Sequence, residues 1–235
     1  MRIALCLSGQ PRCLDECFDS LREFVIDPSD CDVFFHFWNT SSLPFTPDII
    51  KMIYGTESVP SWKAFDDEYA LKYINLLKPK RFIVEPQKLI NDDYFRKLCT
   101  PENSRMQAKT FLHVLSMYYS IFMANQCRNE WQEAHGFKYD VVIRCRTDLK
   151  FFKTPDIDNI FNKIYIPEHD CYGGLNDQFA IGNGNDMHHY ADCFLYLQIL
   201  FANGTNFHPE TLLRDHVATA QIPVKFISKC YDLVR

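Results

Sequence analysis

Short, nearly continuous apolar runs, each bounded by Asp, Pro, Ser or Gly, punctuate this chain at Arg2–Leu7, Val33–Trp38, Arg81–Val84 and Tyr139–Asp148. Such runs are the signature of strands covered on both faces, because a sheet packed between helices exposes neither side to water. Helical spacing follows the first of them, with Leu14, Phe18, Leu21 and Phe24/Val25 recurring every third or fourth residue. The clearest helix starts at a capping-box pair, Ser104 and Gln107. It carries Phe111, Leu115, Tyr118 and Phe122 beside Val114, Met117 and Ile121 until Gly136 can close it. Further strands are expected at Lys163–Ile166, Gln178–Ile181 and Val224–Ile227, the last closing the chain. Helices are expected at about Asn185–Phe201 and Pro209–Ala220, the second with Pro in its first turn. Ser41–Trp62, rich in Pro and Ser, reads as a loop region. Strands alternating with helices predict an α/β fold with a mixed, mostly parallel sheet flanked by helices. At 235 residues, 47% of them hydrophobic, the chain suffices for one sizeable core, so a single domain over 1–235 is expected.

Charge narrows the partners. A net charge of -5 and a pI near 5.9 leave no basic stripe, which argues against nucleic acid. A phosphate-bearing ligand would then need local cations. The ten cysteines lie scattered through apolar runs and do not form a disulfide framework. Cys13 and Cys17 stand at helical spacing, but no second Cys or His pair follows at zinc-site spacing. The apolar start before Ser8-Gly9-Gln10-Pro11 is too short for a signal-peptide core, and no later run approaches the roughly 20 apolar residues of a membrane span. A soluble protein of the cytoplasm is the expectation. Asn39-Thr40-Ser41 and Asn203-Gly204-Thr205 therefore carry little weight as glycosylation sites.

The chemistry concentrates at the end of Tyr139–Asp148. If that segment stays extended, alternation puts Arg144, Arg146 and Asp148 on one face. Two guanidiniums and a carboxylate would converge where a buried strand emerges, the end of a sheet at which ligands bind. A divalent cation on Asp148 and an arginine at position 146 would neutralise a diphosphate, whereas a simple Arg/Asp bridge is the structural alternative. Arg144, deeper in the strand, reads as the more structural of the two arginines. Ser8-Gly9-Gln10-Pro11-Arg12 after the first strand has the logic of a nucleotide loop, with Gly for close backbone approach and Arg12 for charge, although one Gly before a Pro also makes an ordinary turn. In Tyr172-Gly173-Gly174-Leu175-Asn176-Asp177-Gln178-Phe179 two glycines free the backbone before a polar triplet. Asp177 can serve there as a base toward a hydroxyl, or the triplet can be an Asx-type turn. His36 points either into the core or into the nucleotide pocket. His208 and His216 flank Glu210 and Asp215, where one could complete a metal shell.

Taken in order, Ala4–Arg12, Asp32–Trp38, Tyr139–Asp148 and Asn176–Gly182 resemble the corresponding stretches of small GT-A-fold glycosyltransferases of bacteria and of large DNA viruses of algae and other protists. The resemblance implies a GT-A-like (Rossmann-like) domain with a nucleotide-binding part over about 1–150 and an acceptor-side part over about 151–235. It implies a hexosyl- or pentosyltransferase with a nucleotide-sugar donor, a UDP-sugar first, a glycan or glycoprotein acceptor and Mn²⁺ or Mg²⁺ as cofactor, acting in the cytoplasm, the host's if the chain is viral. GT-A enzymes bind metal and diphosphate through Asp-x-Asp. The resemblance maps that role onto Arg146-Thr147-Asp148, where the first acid is replaced by Arg. The implied nucleotide-sugar-binding residues are Ser8, Gly9, Arg12, His36, Arg146, Thr147, Asp148 and Asn176, with Asp148 as metal ligand and Asp177 as catalytic base. A non-catalytic nucleotide-binding α/β module would share the first loop yet need neither acid. A Rossmann-type oxidoreductase or methyltransferase would want Gly-x-Gly-x-x-Gly where this chain has a single Gly.

Overall fold

Nine strands, six longer helices and, running on from the first of these, a π-helical turn (Arg22–Ile26) and a short helical turn (Asp27–Ser29) are seen among the described residues, which are 1–41, 65–88, 90, 108–155 and 163–234 of the computed structural model. The strands are β1 (Ile3–Gly9), β2 (Asp32–Asn39), β3 (Arg81–Pro86), β4 (Val141–Arg146), β5 (Leu149–Phe151), β6 (Ile164–Pro167), β7 (Phe179–Asn183), β8 (Val224–Ile227) and β9 (Tyr231–Leu233). The helices are α1 (Leu14–Leu21), α2 (Asp67–Leu77), α3 (Ala108–His135), α4 (Gly184–Ala191), α5 (Cys193–Ala202) and α6 (Pro209–Thr219).

Seven strands form one sheet in the order β3-β2-β1-β4-β7-β6-β8. The β1/β2, β2/β3, β1/β4 and β6/β8 pairs are parallel, and β7 runs antiparallel to both β4 and β6. The expected α/β architecture with a mixed, mostly parallel sheet is therefore what the chain adopts. Because β2 and β3 lie to one side of β1 and β4 to the other, the order reverses between β1 and β4. In open α/β sheets such a switch point opens a crevice at the carboxyl ends of the strands.

Strand alternation sorts the side chains into two cores. Ile3, Leu5, Leu7, Val33, Phe35, Phe37, Val141 and Ile143 meet α1 and α2 through Leu14, Leu21, Ala70, Tyr73 and Leu77. Ala4, Cys6, Phe34, Val142 and Ala180 turn to the other face, against Val114, Leu115, Tyr118 and Ile121 of α3 and the apolar sides of α4, α5 and α6. Gly136, at φ +66, ends α3 as the sequence predicts. The capping pair expected at Ser104 and Gln107 lies outside the described residues, as does nearly all of the loop expected at Ser41–Trp62.

Four differences from the sequence reading have physical causes. β4 stops at Arg146, since the Arg146 N–H donates to Gln178 O and the Thr147 hydroxyl to Gln10 O (2.9 Å), which turns the chain into β5. The helix expected at Asn185–Phe201 is two, because Asp192 caps α4 with its N–H on His188 O and His189 O while its carbonyl opens α5. Helix α2 is anchored by Asp66, whose side chain accepts the Tyr69 N–H (2.9 Å). Finally, β8 does not close the chain: β9 follows and pairs antiparallel with β5 as a separate ribbon. No helix among the described residues is long and apolar enough to cross a membrane.

Candidate active site

A pocket of about 560 Å³ opens at the switch point, within the usual size of small-molecule sites. Its floor is built by register. Ser8 stands beside Arg146, and Cys6 and Ala180 stand on either side of Arg144. Small neighbours on both sides leave room for two guanidiniums on a face otherwise packed against α3. Alternation along β4 thus places Arg144 and Arg146 together. Asp148 reaches them by a turn, not by remaining extended.

Asp148 is 3% exposed and is gripped on both oxygens by Arg146, with Nε to Oδ1 at 2.9 Å and Nη2 to Oδ2 at 2.6 Å. Arg12 adds a third contact, Nε to Oδ2 at 3.5 Å. Such a fork is the geometry that guanidinium and carboxylate favour. Arg144 differs from Arg146 in what it leaves open. It too is 3% exposed, its Nη1 donates to Gln178 O, and its Nε and Nη2 have no partner. Arg144, read from the sequence as the more structural of the two arginines, ties the loop before β7 to β4 and also lines the pocket.

Two further acids line the pocket. Asp177 leaves the loop before β7, and Glu210 sits in the first turn of α6. That loop rests directly on α6: the Leu175 N–H donates to Glu210 O (2.9 Å), and a Cβ added at Gly174 would lie 1.9 Å from the same oxygen. Burial, and then the neighbouring Asp177, push the Glu210 carboxyl up to about 7. His208 Nδ1 approaches Glu210 Oε2 to 2.6 Å and is the nearest polar side-chain group to that carboxyl.

Ser8 Oγ, Trp38 Nε1 and Gln178 Oε1 are also buried without partners, and all three residues line the same space. Unsatisfied buried polar atoms are costly and scarce in folded proteins. Their convergence with Arg144 on one pocket marks it as a polar ligand site.

Of the residues singled out from sequence, Ser8, Gly9, Arg12, Arg146, Asp148 and Asp177 line the pocket. Three do not. His36 is fully buried, with Nε2 at 3.0 Å from Glu85 and Nδ1 at 2.7 Å from Ser120 Oγ. Burial pushes the His36 pKa down, while its hydrogen bond holds Glu85 down at about 2. The Gly9 N–H donates to that same Ser120 Oγ (2.7 Å), so His36 supports the first loop from behind and does not enter the pocket. Thr147 ties that loop to the β4 turn. Asn176 is fully buried, donating to His169 O (2.8 Å) and accepting the Gln178 N–H (2.8 Å), which fixes the turn that presents Asp177. The Asx-type turn and an acid lining the pocket are therefore both present. His216, considered for a metal shell, is fully buried against His189, at 4.2 Å between ring centroids.

The expected divalent cation does not suit these side chains. Hard cations want several oxygen ligands, whereas both oxygens of Asp148 are engaged by Arg146. No group of three His, Cys, Asp or Glu side chains converges for a metal among the described residues. Glu210, Trp38 and Gln178 join the pocket without a sequence signal. Only the alternation that pairs Arg144 with Arg146 announced any of the added lining.

The family described as Domain of unknown function (DUF7796) matches residues 64–230 of the chain. No curated protein matches it.

Proposed function

The chain belongs to the DUF7796 family, whose description names no activity, and we propose from the pocket itself that it is a glycosyltransferase moving a sugar from a nucleoside diphosphate sugar, a UDP-sugar first, to a hydroxyl of a glycan or glycoprotein. One observation carries this reading: arginines 12, 144 and 146 and the buried acids Asp177 and Glu210 line a single pocket at the carboxyl ends of β1 and β4. Group transfer from a diphosphate needs both kinds of residue, cations where charge develops on the leaving group and a carboxylate where a hydroxyl loses its proton.

In the proposed reaction the acceptor oxygen bonds to the anomeric carbon. The bond from that carbon to the phosphate oxygen breaks, its electron pair passing to the phosphate beside Arg144 and Arg146, and the hydroxyl proton goes to Asp177. Glu210, held largely protonated below about pH 7, would hydrogen-bond the sugar or acceptor from the same side. The first loop contributes Gly9, whose φ of +110 opens the backbone to close approach.

The test is nucleotide release. Purified protein given a panel of nucleotide sugars should free the nucleoside diphosphate by slow hydrolysis, or faster with an acceptor. A melting point raised by NAD or S-adenosylmethionine, and by no nucleotide sugar, would overturn the proposal.

A further inference from the structure

We propose that Arg12, Arg144 and Arg146, organised by Asp148, form a pyrophosphate site that works without a divalent cation. The inference deepens the transferase reading and rests on it only for what the diphosphate is attached to.

Three observations support it. First, Arg144 is a buried cation with two nitrogens, Nε and Nη2, left without acceptors on the wall of the pocket. Taking a guanidinium out of water without satisfying it is unfavourable, and an anion in the pocket supplies the missing acceptors. Second, Asp148 orients the cationic wall. By holding the fork of Arg146 and the Nε of Arg12 it sets the direction of both guanidiniums. Three guanidiniums against one carboxylate leave an excess of two positive charges, and a diphosphate esterified at both ends carries two negative ones. Third, the space is shaped for a group larger than an ion. Cys6, Ser8 and Ala180 flank the arginines with short side chains, and Ser8 Oγ and Trp38 Nε1 stand unpartnered as neutral donors.

Among the described residues, the acids that line the pocket besides Asp148 are Asp177 and Glu210. Asp177 lies near enough to reinforce the charge on Arg146. A phosphate would settle against Arg144 and Ser8, whose Nε, Nη2 and Oγ have no partner within the protein.

Calorimetric titration of the whole protein with UDP and with inorganic pyrophosphate, in EDTA and again with Mn²⁺, tests the proposal. Both ligands should bind in EDTA. Arg144→Gln and the more exposed Arg12→Gln should each weaken binding about ten- to a hundred-fold, the usual effect of losing charge-assisted bonds, with unfolding midpoints confirming that both variants fold. Should Arg144→Gln fail to fold, Arg12→Gln alone decides. Binding that appears only with Mn²⁺, or that neither substitution weakens, overturns the proposal. Pyrophosphate bound in EDTA through Arg144, with no nucleotide sugar bound or cleaved, would keep the anion site and end the transferase reading. Sugar transfer that requires Mn²⁺ would do the reverse.

Discussion

Asp148 and Glu210 face the same pocket with nearly the same burial, 3% and 6% exposed, and their surroundings could hardly differ more. Asp148 spends both oxygens on guanidiniums. Glu210 has the carboxylate of Asp177 and the ring of His208 for neighbours, no guanidinium fork, and a pKa of about 7. Burial alone does not decide how an acid behaves; its neighbours do. The pocket thus carries cations rooted in β1 and β4, its positive wall, and acids rooted in the β7 loop and α6, its negative wall, with Asp177 near enough to Arg146 for the two to interact.

The largest effect should fall on the negative wall. Asp177→Asn should lower transfer or donor hydrolysis by about 10²- to 10⁴-fold, the range of a lost general base, while leaving UDP affinity nearly unchanged. Equal losses in rate and in affinity would show that the two walls are not separate. Next, Asp148→Ala should destabilise the fold by about 2–3 kcal/mol in denaturant titrations, because it leaves the half-buried guanidinium of Arg146 without its carboxylate. A loss under about 1 kcal/mol would mean that the fork is ornamental and the contrast with Glu210 false.

Glu210→Gln should do the opposite at high pH. The folded pKa of about 7 exceeds the ordinary 4.5, so between these values the native state holds more protons than the unfolded chain, and stability falls as pH rises through that window. Full linkage would reach roughly 3 kcal/mol. Thermal unfolding at pH 5 and pH 8 should therefore show a fall in the parent that the Gln variant lacks. Identical pH profiles would refute the raised pKa. The smallest effect is expected from Thr147→Val, which loses the bond to Gln10 O and about 1 kcal/mol, and should loosen phosphate binding before it touches the acids.

The positive wall was largely legible in the sequence because it is local. Period-two alternation places Arg144 and Arg146 together, and a Gly after an apolar run marks the first loop. What alternation could not show is the turn that brings Asp148 back onto its own strand, since that depends on Gln10 O and Gln178 O from elsewhere in the chain. The negative wall was half legible. Asp177 stands in a loop with evident turn chemistry, but Glu210 arrives on a helix distant in sequence and looks there like any first-turn acid. His36 misled for a related reason: its role depends on Ser120 and Glu85, which only the folded sheet and α3 bring to it. The break at Asp192 has the same origin, being set by capping bonds within one short stretch that apolar periodicity runs straight through.

Gly174 carries a consequence for how such a pocket can change. Its α-carbon lies flush against the main chain at Glu210, with no gap for even a methyl group. The backbones that carry the two acids are thus spaced by main chain touching main chain, whatever rotamers the carboxylates adopt. Neighbouring side chains can be exchanged to suit a different acceptor while those backbones keep their separation, so long as this one position stays bare.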